Sequence, residues 1–97
     1  MDPVRPLRYV VAVADELSFG RAARRLGIAQ PTLSRAVRAF EDAHGVVLFD
    51  RTTRTVEPTA ALRAAIDHWR TAIAEADRAL AAARGETGGV VRVGYVL

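Results

Sequence analysis

Gln30, Pro31, Thr32, Ser34, Arg35 and Arg38 fall within one short stretch, "GIAQPTLSRAVRAFEDAHG", residues 27–45. An Arg guanidinium is a planar donor fork that fits a phosphate or the O6/N7 edge of guanine. Gln pairs in the same two-pronged way with adenine N6/N7, and Pro or a Thr methyl can meet the methyl of thymine. On a 3.6-residue wheel Pro31, Ser34, Arg35 and Arg38 share the side opposite Leu33, Val37 and Phe40. A plainer reading stands beside this one, because most basic helices are merely solvated. Arg38 can pair with Glu41 or Asp42 at i, i+3 and i, i+4, an interaction of ~0.2–0.5 kcal/mol.

The surrounding charge is one-sided. Residues 17–40 hold Arg21, Arg24, Arg25, Arg35 and Arg38 with no Asp or Glu, while acids flank the block as Asp15/Glu16 and Glu41/Asp42. Net charge is only +3, and all 14 basic residues are Arg. A GC-rich genome accounts for the missing Lys; it does not account for the clustering. A local field of one sign on a near-neutral chain points to a polyanion. Arg24 and Arg25 also read as plain solvated charges, and Glu41 and Asp42 mark where an anion-facing stretch would end.

Other chemistries find little support. The absence of Cys removes disulfides and thiolate metal sites. His44 and His68 are isolated and read as surface residues, so no metal and no cofactor is expected in this chain. No paired carboxylates, activated nucleophile or phosphate-cradling Gly-rich loop can be argued, and the chain reads as a non-enzyme. No apolar run approaches about 18 residues, and no leader pattern opens the chain. A cytoplasmic, nucleoid-associated protein without a membrane partner is the expectation.

The elements that must position these residues are legible in the apolar spacing. Residues 4–17 carry Leu7, Val10, Val11, Ala14 and Leu17, an amphipathic helical stripe. Ser18 suits the N-cap of a short helix over 19–26, with Ala22, Ala23 and Leu26 inward and Gly27 ending it in the left-handed conformation. Pro31 fits the first turn of a third helix, about 30–44, ended by Gly45. The tight Gly27–Pro31 turn is of helix-turn-helix length. Two β-rich pieces, near 46–50 and 54–57, read as a small hairpin. Thr59 can cap a long helix over 60–84, roughly 38 Å at 1.5 Å per residue. Its apolar residues Leu62, Ile66, Trp69, Ile73, Ala76, Leu80 and Ala83 alternate by four and three, a heptad seam that asks for a partner. "GETGG" (85–89) reads as a linker, and "VVRVGYVL" (90–97) as a strand.

With those residues in place, "LRYVVAVADELSFGRAARRLGIAQPTLSRAVRAFEDAHGVVLFDRTTR" resembles the N-terminal part of LysR-type transcriptional regulators, over about residues 5–90. The resemblance implies a mostly α chain. A winged helix-turn-helix (1–58, three helices plus a hairpin wing) precedes a linker dimerisation helix (59–84), and residues 85–97 form a hinge and the first strand of an absent effector-binding domain. It implies that Gln30, Pro31, Thr32, Ser34 and Arg35 contact the major groove. Arg38, Arg21 and the first N–H groups after Ser18 then hold phosphates, with Gly20 among them, and Arg51 and Arg54 on the wing meet the backbone or minor groove. The partners implied are double-stranded DNA of dyad symmetry and a second copy joined antiparallel through the linker helix, with a tetramer for a full-length form. A small-molecule co-inducer belongs to the absent domain. Departures from the family pattern are Gly20 for a polar residue, Thr53 for a wing Gly, and Pro58 and Leu62 for a Leu and a Gly. A second class of reading keeps the long helix as a protein-interaction element and the winged part as its scaffold.

Overall fold

The computed structural model describes residues 4–52 and 55–86. Four helices and one hairpin follow in the order α1 (Arg5–Glu16), α2 (Phe19–Leu26), α3 (Gln30–His44), β1 (Phe49–Arg51), β2 (Val56–Pro58) and α4 (Ala60–Ala83). Thr53, Arg54 and the expected strand at 90–97 lie outside the described residues.

Each boundary has a local cause. Leu17 ends α1 by turning left-handed, at φ 50°, and its N–H returns to the Val13 carbonyl at 2.7 Å. It is 47% exposed, so it is a helix stop and not the last residue of the inner stripe. A non-Gly residue in this region is held at a cost that its surroundings must offset. Ser18 then caps α2, its Oγ accepting from the Arg21 N–H at 3.1 Å. Gly27, at φ 71°, closes α2; its N–H and that of Ile28 satisfy the Arg24 and Ala23 carbonyls. Pro31 occupies the first turn of α3 and Gly45 ends it.

α1, α2 and α3 enclose a core of Val10, Val13, Ala22, Leu33 and Val37, closed by Leu48, Phe49 and Leu62. The Phe19 and Phe49 rings meet edge to face, centroids 6.0 Å apart. The hairpin is antiparallel, with Phe49 opposite Pro58 and Arg51 opposite Val56. Its first strand starts later than 46–50. Val46 is still part of the exit from α3, its N–H committed to the Glu41 carbonyl, and the Leu48 N–H is taken by the Glu41 side chain.

α4 begins where Thr59 caps it, Oγ1 accepting from the Leu62 N–H at 3.2 Å. The same hydroxyl donates to the Val47 carbonyl at 2.7 Å, fastening the helix to the approach to the wing. The continuous seam expected for α4 divides in two. Leu62 is 1% exposed inside the core of its own chain, so it cannot face a partner. Ile66 and Trp69 also pack against that core, and Trp69 sits edge-on to Phe40 at 5.5 Å. Beyond this point Ile73 and Ala76 are half-buried and Leu80 and Ala83 are exposed.

Candidate nucleic-acid interface

Burial of Leu33 and Val37, at 0% and 1% exposure, fixes the rotation of α3 about its axis. That rotation leaves Gln30, Pro31, Thr32, Arg35 and Arg38 exposed on the outer face, with Ser34 half-buried among them. Ser34, Arg35 and Arg38 line a shallow concavity of about 540 Å³ with Ala39 and Asp42. Among the described residues no carboxylate pairs with Arg24, Arg35 or Arg38. The alternative pairing of Arg38 with Glu41 or Asp42 is therefore not made. Both α3 guanidinium groups keep all their donors for an external acceptor.

A second groove, open and about 710 Å³, separates the start of α2 from the hairpin. Ser18, Gly20, Arg21 and Gln30 form one side; Thr52, Thr55 and Glu57 form the other. Gln30 bends toward α2: a Cβ on Gly20 would sit 3.5 Å from its Oε1 and 3.8 Å from Ser18 Oγ, ordinary contact distances. Gly20 is therefore not demanded by space. Phe19 and Gly20, whose N–H groups have no carbonyl behind them in the helix, both line this groove, and an anion is favoured at such a helix start. Glu57 on the wing side works against an anion at that rim.

Within the basic block over residues 17–40, Arg21 and Arg25 are otherwise engaged. Arg21 donates to the Glu16 carbonyl at 2.8 Å, yet its side chain remains 59% exposed at the groove. Arg25 is not a plain solvated charge: it bonds Asp15 at 2.9 Å and Glu16 at 3.5 Å. The hydrogen bond that Arg25 donates to Asp15 is the main cause that raises its pKa further.

Arg51, which the family resemblance sets against the DNA backbone or minor groove, donates its guanidinium to Glu41 Oε1 at 3.0 Å and lies over the Phe19 ring, 5.0 Å from the centroid. With 22% of its side chain exposed, it is an internal tie. Arg54 lies outside the described residues. Glu41 is the residue that spacing concealed. With Asp42 it marks the end of the anion-facing stretch in the sequence, but it is 5% exposed and points into the chain. The wheel held the signal, since Leu33, Val37 and Glu41 stand four residues apart on one ridge. Among the described residues no group of three metal-ligating side chains occurs, and no helix is long and apolar enough to cross a membrane.

Comparison with known proteins agrees with this geometry. Residues 4–61 match the model of the bacterial regulatory helix-turn-helix protein, lysR family. The chain is 48% identical over 95 residues to the HTH-type transcriptional regulator ShiR of Corynebacterium glutamicum (strain R), covering 95% of this chain and 32% of that one. It is 43% identical over 97 residues to AlsR of Bacillus subtilis (strain 168), covering 96% and 32%. The chain thus spans about a third of the length of these relatives. Among solved structures, the BenM DBD/catB site 1 DNA complex superposes with a TM-score of 0.81 at 33% identity, covering 91% of this chain and 98% of that one. Full-length CbnR complexed with its target DNA gives 0.79 at 36% identity, covering 88% and 29%.

Proposed function

The chain belongs to the lysR family of bacterial regulatory helix-turn-helix proteins, and from that premise we propose that it reads a specific DNA sequence as a dimer. α3 is the element that enters the major groove, N-terminal end first, as recognition helices of this motif do. Gln30, Pro31, Thr32, Ser34 and Arg35 meet base edges, with Arg35 on guanine and Gln30 on adenine as the strongest pairings. Arg38, Arg21 and the first N–H groups of α2 after Ser18, at Gly20, take phosphates. The wing, including Arg54, lies along the adjacent backbone or minor groove. The observation that carries this reading is the exposed outer face of α3, on which Arg35 and Arg38 have no carboxylate partner among the described residues.

Dimerisation is assigned to the distal half of α4, through Ile73, Ala76, Leu80 and Ala83, with Ile66 and Trp69 at its border. Antiparallel pairing there sets two copies of α3 on one face of the duplex, so the target carries dyad symmetry. Any response to a small-molecule co-inducer is assigned to a domain that residues 90–97 would open, as is assembly into tetramers. Selection of bound duplexes from a random DNA pool tests the proposal. Enrichment of two inverted half-sites at fixed spacing is expected; an unenriched pool, recovered with a properly dimeric sample, would count against sequence reading.

A further inference from the structure

Glu41 sits on the core side of α3 near its C-terminal end, and a buried carboxylate is costly unless its oxygens are filled. Here they are filled by the wing. Oε2 accepts from the Leu48 N–H at 2.7 Å and from the Phe49 N–H at 3.3 Å. Oε1 accepts from Arg51 Nη2 at 3.0 Å. One side chain of α3 therefore holds the entry to β1, its first residue Phe49 and its last residue Arg51. The Phe19 ring under Arg51 adds a third element, α2, through the face of the ring. Arg51 Nε is buried with no acceptor among the described residues, where Glu41 and Phe19 are the groups that orient this guanidinium.

Phe49 in the core and the Thr59 bonds to the Val47 and Leu48 carbonyls hold the base of the hairpin; Glu41 and Arg51 supply the polar link from α3 to β1. Each strand has three residues, and an isolated two-stranded hairpin is marginal in water. We infer that Glu41 is a positioning residue that, by gripping Arg51 and the β1 backbone, fixes the angle between the wing and α3 so that both meet one duplex together. The inference rests on the DNA reading above and adds to it the coupling of its two contact elements. In this role Arg51 does not touch DNA; it transmits the position of α3 to the tip of the wing. A hydrogen-bonded charge pair away from water is stiffer than the same pair on the surface.

Two substitutions in the full 97-residue chain separate the possibilities. Glu41→Gln keeps the shape and one oxygen for the Leu48 and Phe49 N–H groups, but turns an amide donor toward a guanidinium donor. Arg51→Lys keeps the positive charge and loses both the fork and the stacked plane. Each is footprinted with hydroxyl radicals, and its affinity measured, on the duplex that wild type selects from a random pool. Each variant is expected to bind about tenfold more weakly, the effect of losing a hydrogen bond to a charged group. Protection under the wing is expected to fade while protection at the centre of the half-site, under α3, persists. The double variant is expected to lose no more than either single one. If Arg51 instead touches phosphate directly, Arg51→Lys largely retains flank protection, Glu41→Gln retains it fully, and the inference is overturned. A Glu41→Gln chain that does not fold leaves Arg51→Lys to decide, since retained flank protection in that variant alone refutes the coupling. A wild-type chain that protects no duplex at all removes the DNA reading itself, and the wing role with it.

Discussion

Oδ1 of Asp15 lies 2.7 Å from Nη2 of Arg70, joining the end of α1 to the middle of α4 across 55 residues of sequence. The second oxygen of the same carboxylate takes Arg25 of α2 at 2.9 Å. Farther along, Arg8 of α1 reaches Asp77 of α4 at 2.7 Å. α4 therefore leaves the winged unit in a direction set by apolar packing as far as Trp69 and by ion pairs thereafter. In a dimer built on the distal half of α4, that direction sets the separation of the two copies of α3.

The Asp15 node gives a pH signature. The Arg70 hydrogen bond, aided by Arg25 and opposed by burial, holds the Asp15 carboxyl below its ordinary value of 3.8. A carboxyl lowered in the folded state stabilises it fully above the unfolded value, and that contribution is lost as pH falls through the folded value. The carboxylate is 29% exposed, so the effect is modest. Asp15→Asn is predicted to cost about 0.5–1 kcal/mol at neutral pH in urea unfolding. The two curves should converge as the pH drops below 3.8. A gap unchanged in acid would assign the loss to packing instead.

Leu62 supplies a test of how α4 is divided. At 1% exposure in the core, its truncation to Ala is predicted to cost about 2–5 kcal/mol. The mass in solution, measured well below the melting temperature, should not change. A chain that melts normally but dissociates would return Leu62 to the dimer contact.

The distal half of α4 should behave in the opposite way. Leu80 is 53% exposed in the single chain, so a charge there does not disturb the fold of the monomer. Leu80→Glu and Ile73→Glu are each predicted to give a monomer by light scattering while thermal unfolding of the winged unit persists. A dimer mass in both variants would rule out this face.

Phosphate contacts can be counted by salt. Binding is predicted to weaken steeply as salt rises, and Arg38→Ala should reduce the slope of log affinity against log salt by about one. An unchanged slope would place Arg38 off the backbone.

Much of this arrangement was legible in the sequence, and the exceptions share a cause. Helix ends followed from local chemistry: the Ser18 and Thr59 caps and the Gly27 and Gly45 exits depend on residues within one turn. The outer face of α3 followed from the apolar period. Tertiary choices did not follow. Arg51 looks like any wing cation until Glu41 and Phe19 are placed around it. Glu41 looks like a solvent acid until the N–H groups of Leu48 and Phe49 arrive beside it. Leu62 fits a heptad whether its neighbour is another chain or its own core, and spacing alone cannot decide between them. Leu17 continues the α1 stripe in number while its backbone has already turned out of the helix.

The central claim is that α3 reads bases through Arg35. The most direct measurement compares wild type and Arg35→Ala on the duplex that wild type selects and on a random duplex of equal length. A loss of roughly 1–3 kcal/mol on the selected site, with a much smaller loss on random DNA, is predicted. An equal loss on both would mean that Arg35 grips the phosphate backbone, and would contradict the claim.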